Sequence, residues 1–408
     1  MDLKEFDRRI MADCAPVFAS IEETAAINRA RVQDAFVKNR VSSAMFAPST
    51  GYGYGDIGRD ALDGLLADIV GAEDALCRAA FMSGTHALTV ALFGLLRPGM
   101  RLLSAVGEPY DTLQTVISKP GVGSLTEFGV EYRFVPTAGT RPDLEAIARE
   151  AKGADVVLVQ RSRGYSLRDT LTLPDIAVVC RAIRAGNPNA VILCDNCYGE
   201  FVEADEPLSA GADLIVGSFL KNIGGAIAQT GGYIAGRKEY VALCEHRLTA
   251  PGTGRELGSV PQGHREMFLG LYFAPSVVEQ ALKSAVYCSR MCELLGYPVV
   301  PAYNARRGDI VDAISLGSEE AVTLFCRAIQ SLSPIDSFAV PEGYPMPGYG
   351  CDVIMASGSF TNGSSIELSC DAPLREPYVL YLQGGIHLDY ARRAFLLAAE
   401  KLEAAKNR

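Results

Sequence analysis

Apolar residues recur at helical spacing along the first stretch of the chain, through Phe6, Ile10 and Met11 and then Ile27, Val32 and Phe36. This spacing predicts a helical N-terminal segment. The pattern stops in a glycine-rich run, Ser49-Thr50-Gly51-Tyr52-Gly53-Tyr54-Gly55-Asp56-Ile57-Gly58-Arg59, which is too irregular for a helix or a central strand. A short helix is expected over 60–69, leading to Gly71. From about residue 80 to 236, short apolar runs alternate with helical ones. Val156–Gln160, Val191–Asp195, 213–218 and Gly232–Gly236 read as strands, and 172–185 as a helix. Apolar strands without polar alternation, separated by helices, indicate a largely parallel sheet covered on both faces, and so an α/β domain. A long helix is expected near 275–295, after which the pattern changes. Short strands at 353–355 and 365–369 mix with helices ending at Lys406, which predicts a smaller α+β unit. The chain thus divides into an N-terminal helical segment (1–45), a large domain (46–280) and a small C-terminal domain (281–408).

Composition narrows the function classes. Of 408 residues, 49% are hydrophobic, which excludes a disordered chain. The 38 basic and 48 acidic residues leave a net charge of −10, so nucleic acid is not expected as a partner. No apolar run reaches the roughly 20 residues that a membrane helix needs. The start, MDLKEFDRRIMADCAPVF, has acids among its bases and no signal-type apolar core, so a cytoplasmic protein is expected. The eleven cysteines are scattered and mostly set in apolar runs, as small buried hydrophobes are. Cys194 with Cys197 and Cys288 with Cys292 lack the second pair or the paired histidines of a zinc site, so no metal is expected.

In an open α/β sheet, ligands bind beyond the carboxyl ends of the strands. Here those ends carry Gln160-Arg161-Ser162-Arg163, Asp195-Asn196-Cys197-Tyr198 and Ser218-Phe219-Leu220-Lys221-Asn222, the last followed by Gly224-Gly225. An amine in a glycine-rich turn suits a Schiff base with an aldehyde cofactor. A carboxylate on a nearby strand suits a pyridinium nitrogen, and together they are the two anchors of pyridoxal phosphate binding. The plainer alternative is a surface lysine and a helix-capping aspartate. Phe81-Met82-Ser83-Gly84-Thr85 reads as a turn opening a helix, whose free N–H groups hold an anion, with Ser218 adding a hydroxyl. Tyr110 is placed to stack on a flat ring, or else is a core tyrosine. Gly53-Tyr54-Gly55-Asp56-Ile57-Gly58 matches the dinucleotide fingerprint, but Pro48 and its neighbours make a poor preceding strand, so a nicotinamide cofactor is not expected.

The blocks TGYGYGDIGRD, SGTHAL, EPYDTL, QRSRGYS, DNCYGEFVE, GSFLKN with GGYIAG, and SIELSCDAPLREPY with YLQGG run in order over about 46–390. They resemble the methionine γ-lyase-like, aluminium-resistance group of fold-type I pyridoxal phosphate enzymes, relatives of the cystathionine lyases. The resemblance implies a transferase-like large domain with a mainly parallel seven-stranded sheet, and pyridoxal 5′-phosphate as cofactor. It implies Lys221 as the Schiff-base lysine, Asp195 as the pyridinium partner and Tyr110 as the stacking ring. Ser83, Gly84 and Thr85, with Ser218, would hold the phosphate. Tyr54 and Arg59 fall where relatives send a tyrosine and an arginine into a neighbouring subunit's phosphate site, which implies a homodimer or homotetramer. Arg375 would grip the substrate carboxylate through a bidentate fork. Burial beside a cationic cofactor is expected to lower the pKa of Lys221. The implied reaction is γ-elimination from an L-amino acid, with Lys221 taking the Cα proton. Ile223, Ala226 and Gln229 depart from the group's usual loop after the lysine, and Asn362 and Asp312 replace residues more often glutamine. The leaving group therefore stays open: a thiol, or a halide from an unsaturated amino acid to give an alkyne. β-Elimination from cystathionine or cysteine, and a non-catalytic protein of the same fold, are the other readings.

Overall fold

A computed structural model describes residues 2–346 and 350–406. Helix α1 (Leu3–Lys38) begins where the Asp2 carboxylate accepts the Lys4 and Glu5 N–H groups, which caps its first turn. Its Ile10, Cys14 and Phe18 enter one hydrophobic core, and its Val32 and Ala35 enter another. Helix α2 (Ile57–Val70) is capped by Asp56 and stopped by Gly71, whose φ of 71° is open to glycine.

The large sheet follows, with its helices: β1 (Asp74–Arg78), α3 (Gly84–Leu95), β2 (Arg101–Ser104), α4 (Asp111–Ser118), β3 (Glu131–Phe134), α5 (Leu144–Ala151), β4 (Val156–Gln160), α6 (Leu173–Gly186), β5 (Val191–Asp195), β6 (Leu214–Ser218) and β7 (Gly232–Gly236). Its seven strands lie in the order β1-β7-β6-β5-β4-β2-β3. Only β7 runs antiparallel to its neighbours, so the sheet is mostly parallel. β4, β6 and β7 are buried along their whole length, as the unbroken apolar runs predict.

Helix α7 (Lys238–Leu248) and the 30-residue α8 (Arg265–Leu294) lead to the second sheet. That part of the chain holds β8 (Val299–Val300), β9 (Val311–Ser315), α9 (Glu319–Ser331), β10 (Tyr344–Pro345), β11 (Asp352–Ser357), β12 (Ser369–Pro373), β13 (Val379–Gln383) and α10 (Leu388–Lys406). The strand order is β10-β11-β12-β13-β9-β8, antiparallel throughout.

Two elements differ from expectation. Helix α8 starts ten residues before the predicted 275 and carries Pro275 inside it. The strand predicted at 365–369 lies instead at Ser369–Pro373. Residues 365–368 are held by loop bonds: the Glu367 carboxylate accepts the Phe360 N–H at 3.0 Å, and Ile366 O accepts the Gly385 N–H at 2.8 Å. Among the described residues no helix is long and apolar enough to cross a membrane.

Candidate active site

The carboxyl ends of β4, β5 and β6 open into a cavity of about 1310 Å³, closed on its far side by residues of β12, β13 and the loop before β12. Ser83, Gly84, Thr85, Tyr110, Asp195, Ser218, Lys221 and Arg375 all line it. The sequence-predicted residues, apart from Tyr54 and Arg59, are therefore brought to one place.

Lys221 follows β6 in a tight turn in which its N–H donates to Ser218 O at 3.1 Å. Its Nζ donates to Ser365 Oγ at 2.9 Å and stands 4.8 Å from the centre of the Tyr198 ring. Burial disfavours the ammonium, but Tyr198, Cys197 and Asp371 together outweigh it and hold the lysine above its ordinary pKa. The lowering expected beside a cationic cofactor concerns the loaded site and is a separate matter from this balance in the protein alone. Tyr198 has a φ of 71°, an uncommon backbone conformation for a bulky residue.

Asp195 ends β5 and accepts the Cys197 N–H at 3.1 Å. Burial pushes its pKa up to about 6, against the pull of the Cys197 N–H, Arg168 and Lys221. A cationic ring nitrogen beside it would favour the carboxylate. Tyr110 stands at the start of α4, its hydroxyl 3.0 Å from Thr85 Oγ1 and its N–H bonded to Gln160 Oε1 at 3.0 Å. Burial, then the Asp195 charge, push its phenol well up.

At the start of α3, the Ser83 hydroxyl accepts the His86 N–H at 3.1 Å. A Cβ on Gly84 would lie 3.2 Å from both Cys197 Sγ and Ser218 Cβ, so glycine lets the helix end approach β6 closely. The first N–H groups of a helix lack partners within it and favour an anion. A helix end for a phosphate, a buried carboxylate for a ring nitrogen and a lysine for an aldehyde fit pyridoxal 5′-phosphate.

The glycine-rich loop stands apart from this cavity. Arg59 is buried in its own chain, where Nη1 donates to Gly53 O at 3.0 Å and Glu256 O at 3.3 Å and Nε to Asp60 at 3.2 Å. A side chain so fully engaged does not reach outward, and Tyr54, 70% exposed against Tyr52, is the outward group of that pair. Arg375 is exposed on the turn after β12, at the cavity mouth, where its charge opposes the burial-driven rise of the Asp111 pKa. Asn362 lines the cavity, while Asp312 is buried and paired with Arg307 at 2.6 Å.

Sequence reasoning missed three cavity groups: Ser365, Arg163 and Asp371. Asp371 is buried on β12, accepts from Gln383 Nε2 at 3.1 Å, and is pushed up by burial against the pull of Lys221. The signals in the sequence were the place of Arg163 beyond the carboxyl end of Val156–Gln160 and that of Ser365 and Asp371 in the block SIELSCDAPLREPY.

This cradle at the edge of a mostly parallel sheet defines a fold-type I enzyme that uses pyridoxal 5′-phosphate. The chain belongs to the methionine gamma-lyase family, which matches residues 3–403, and it is a lyase of amino-acid metabolism. It is 43% identical over 405 residues to the uncharacterized protein YnbB of Bacillus subtilis, covering 98% of this chain and 96% of that one. The structure of a carbon-sulfur lyase involved in aluminum resistance from Clostridium novyi NT is similar with a TM-score of 0.93 and 44% identity, over 97% of this chain and 94% of that one. The L-methionine gamma-lyase of Pseudomonas putida is 30% identical over 223 residues, which is 54% of this chain and 51% of that one.

Proposed function

We propose that the protein cleaves a carbon–sulfur bond at Cγ of an L-amino acid by γ-elimination. The observation that carries this reading is Lys221 in the same cavity as Asp195. The methionine gamma-lyase family match and the similar carbon-sulfur lyase of Clostridium novyi NT support carbon–sulfur cleavage, and γ-elimination is the finer reading put to the test below. When bound, the cofactor supplies an aldehyde that captures the substrate amine and a protonated ring that draws electrons from Cα.

The chain's own groups do the rest. The start of α3 and the Ser83, Thr85 and Ser218 hydroxyls would hold the phosphate, and Tyr110 would cover the ring. Asp195, as carboxylate, would keep the ring nitrogen protonated. Lys221 Nζ, once deprotonated, takes the Cα proton; Asp371, whose raised pKa suits proton exchange, and Lys221 serve the Cβ proton and the departing sulfur. The products are a thiol, ammonia and a 2-oxo acid. The exposed Tyr54 loop supports assembly into a dimer or larger homo-oligomer.

The test is a substrate panel of L-methionine, L-cystathionine, L-cysteine and a γ-chloro unsaturated amino acid, scored for thiol, chloride, ammonia and 2-oxo acid. Thiol with 2-oxobutanoate from L-methionine is the expected result. Pyruvate from cystathionine or cysteine alone would make the enzyme a β-lyase. Chloride release without thiol would move the leaving group to halide.

A further inference from the structure

Three arginines follow β4, and two of them are fully engaged. Arg161 donates to Asn196 Oδ1 at 2.8 Å, to Gly199 O at 2.9 Å and to Glu203 at 2.9 Å. Arg168 donates to Asp169 O at 2.8 Å, to Gln160 O at 2.7 Å and to Ser162 O. Arg163 is different. It lines the cavity and is 2% exposed, yet its Nε and Nη1 have no hydrogen-bond partner among the described residues.

The neighbouring carboxylates hydrogen-bond to other groups, and the Oδ2 that Asp312 keeps free makes no hydrogen bond to Arg163. Asp312 bonds to Arg307 at 2.6 Å, and Asp309 accepts from Ser162 at 2.7 Å and Thr170 at 2.8 Å. After burial, the charge of Arg163 is the next cause that pushes Arg168 down to about 10, against the pull of Asp309, Asp195 and Asp169. A guanidinium keeps its charge at any physiological pH, and burying one without a counter-ion is costly. Such a group awaits an anion.

Two anions would enter this cavity, the cofactor's phosphate and the substrate's carboxylate. The phosphate has its own cradle at the start of α3 beside Ser218. Tyr381 of β13 feels the charge of Arg375 and, after it, that of Arg163, while Asp312 of β9 feels Arg163 after its partner Arg307, so Arg163 faces groups of the second sheet from inside the cavity. We infer that Arg163, rather than the exposed Arg375, binds the α-carboxylate of the amino-acid substrate. This inference rests on the pyridoxal phosphate reading of the site and adds to it the residue that selects amino acids over amines.

The experiment titrates holoprotein with L-norleucine, which has no leaving group at Cγ, and with pentylamine, its decarboxylated counterpart, following the shift of the cofactor's visible band. Wild type should respond to norleucine at a concentration lower by about 100-fold or more, as for a buried charge pair. Arg163→Ala should keep the band and bring that ratio to within about 3-fold of unity, while Arg375→Ala should move it by less than about 3-fold. In cofactor-free protein, Arg163→Met should melt at or above the wild-type temperature, because it removes a buried guanidinium whose Nε and Nη1 have no hydrogen-bond partner among the described residues.

A ratio unchanged in Arg163→Ala, a collapse in Arg375→Ala, or a clear fall in the melting temperature of Arg163→Met would each overturn the inference. A wild-type band that responds equally to both probes would overturn it while leaving the cofactor reading intact. A wild-type holoprotein preparation with no visible band would overturn both.

Discussion

The surroundings of Arg161 and those of Arg163 lie two residues apart in sequence and differ in one respect. Both side chains are buried. Around Arg161 the bonding is closed: Glu203 takes Arg161, the Leu173 N–H at 2.7 Å and Arg306, and Asn196 reaches Glu206 at 2.9 Å. Around Arg163 it is open, and the cavity begins there. Burial alone does not separate a structural charge from a functional one; the account of hydrogen bonds does.

That contrast can be broken or sharpened by substitution. The largest effect is expected at the open end, where Lys221→Ala should lower turnover by about 10⁴-fold or more, read by product release. A variant within tenfold of wild type would remove Lys221 from the reaction. At the closed end, Arg161→Met should lower unfolding free energy in urea by about 3–5 kcal/mol, because it takes one arginine from Glu203 and leaves the buried Asn196 Oδ1 and Gly199 O without that donor. A loss under about 1 kcal/mol would show that this network does not hold the fold. Asp195→Asn should keep the cofactor but slow turnover by about 10²–10³-fold, because a neutral amide no longer holds the ring proton.

The smallest effect concerns Glu200, fully buried under the site, whose pKa burial pushes up to about 8 while Tyr233 bonds to it at 3.0 Å. A carboxyl group raised in the folded state binds its proton more tightly there than in the unfolded chain. Its contribution to stability is therefore complete below its ordinary value and is lost as pH rises toward about 8. Glu200→Gln cannot ionise, so its urea stability should fall less steeply than wild type between about pH 5 and 8, by up to about 1.4 kcal/mol per pH unit. Equal slopes would show that Glu200 stays unperturbed.

Much of this arrangement was legible in the sequence, for identifiable reasons. The bounds of Val156–Gln160, Val191–Asp195 and Gly232–Gly236 agree with the reading because an unbroken apolar run leaves little choice of element. Strand ends then located Asp195 and Lys221, since the position of a ligand follows from the direction of the sheet. Ser365-Ile366-Glu367-Leu368-Ser369 alternates as a strand would, but the Glu367 carboxylate is spent on the Phe360 N–H and the ladder starts four residues later. Ser365 and Asp371 lie about 150 residues from Lys221 and meet it only through the packing of the two sheets. Arg161, Arg163 and Arg168 look alike as letters, and which of them lacks a partner depends on distant residues such as Glu203 and Asp309.

The bond from Lys221 Nζ to Ser365 Oγ spans the two sheets, since one residue follows β6 and the other precedes β12. It fastens one half of the molecule to the other through the very atom that the proposed chemistry would consume. On that proposal, loading the enzyme would exchange a tether for a reagent, and the serine hydroxyl released by that exchange would face whatever arrives next.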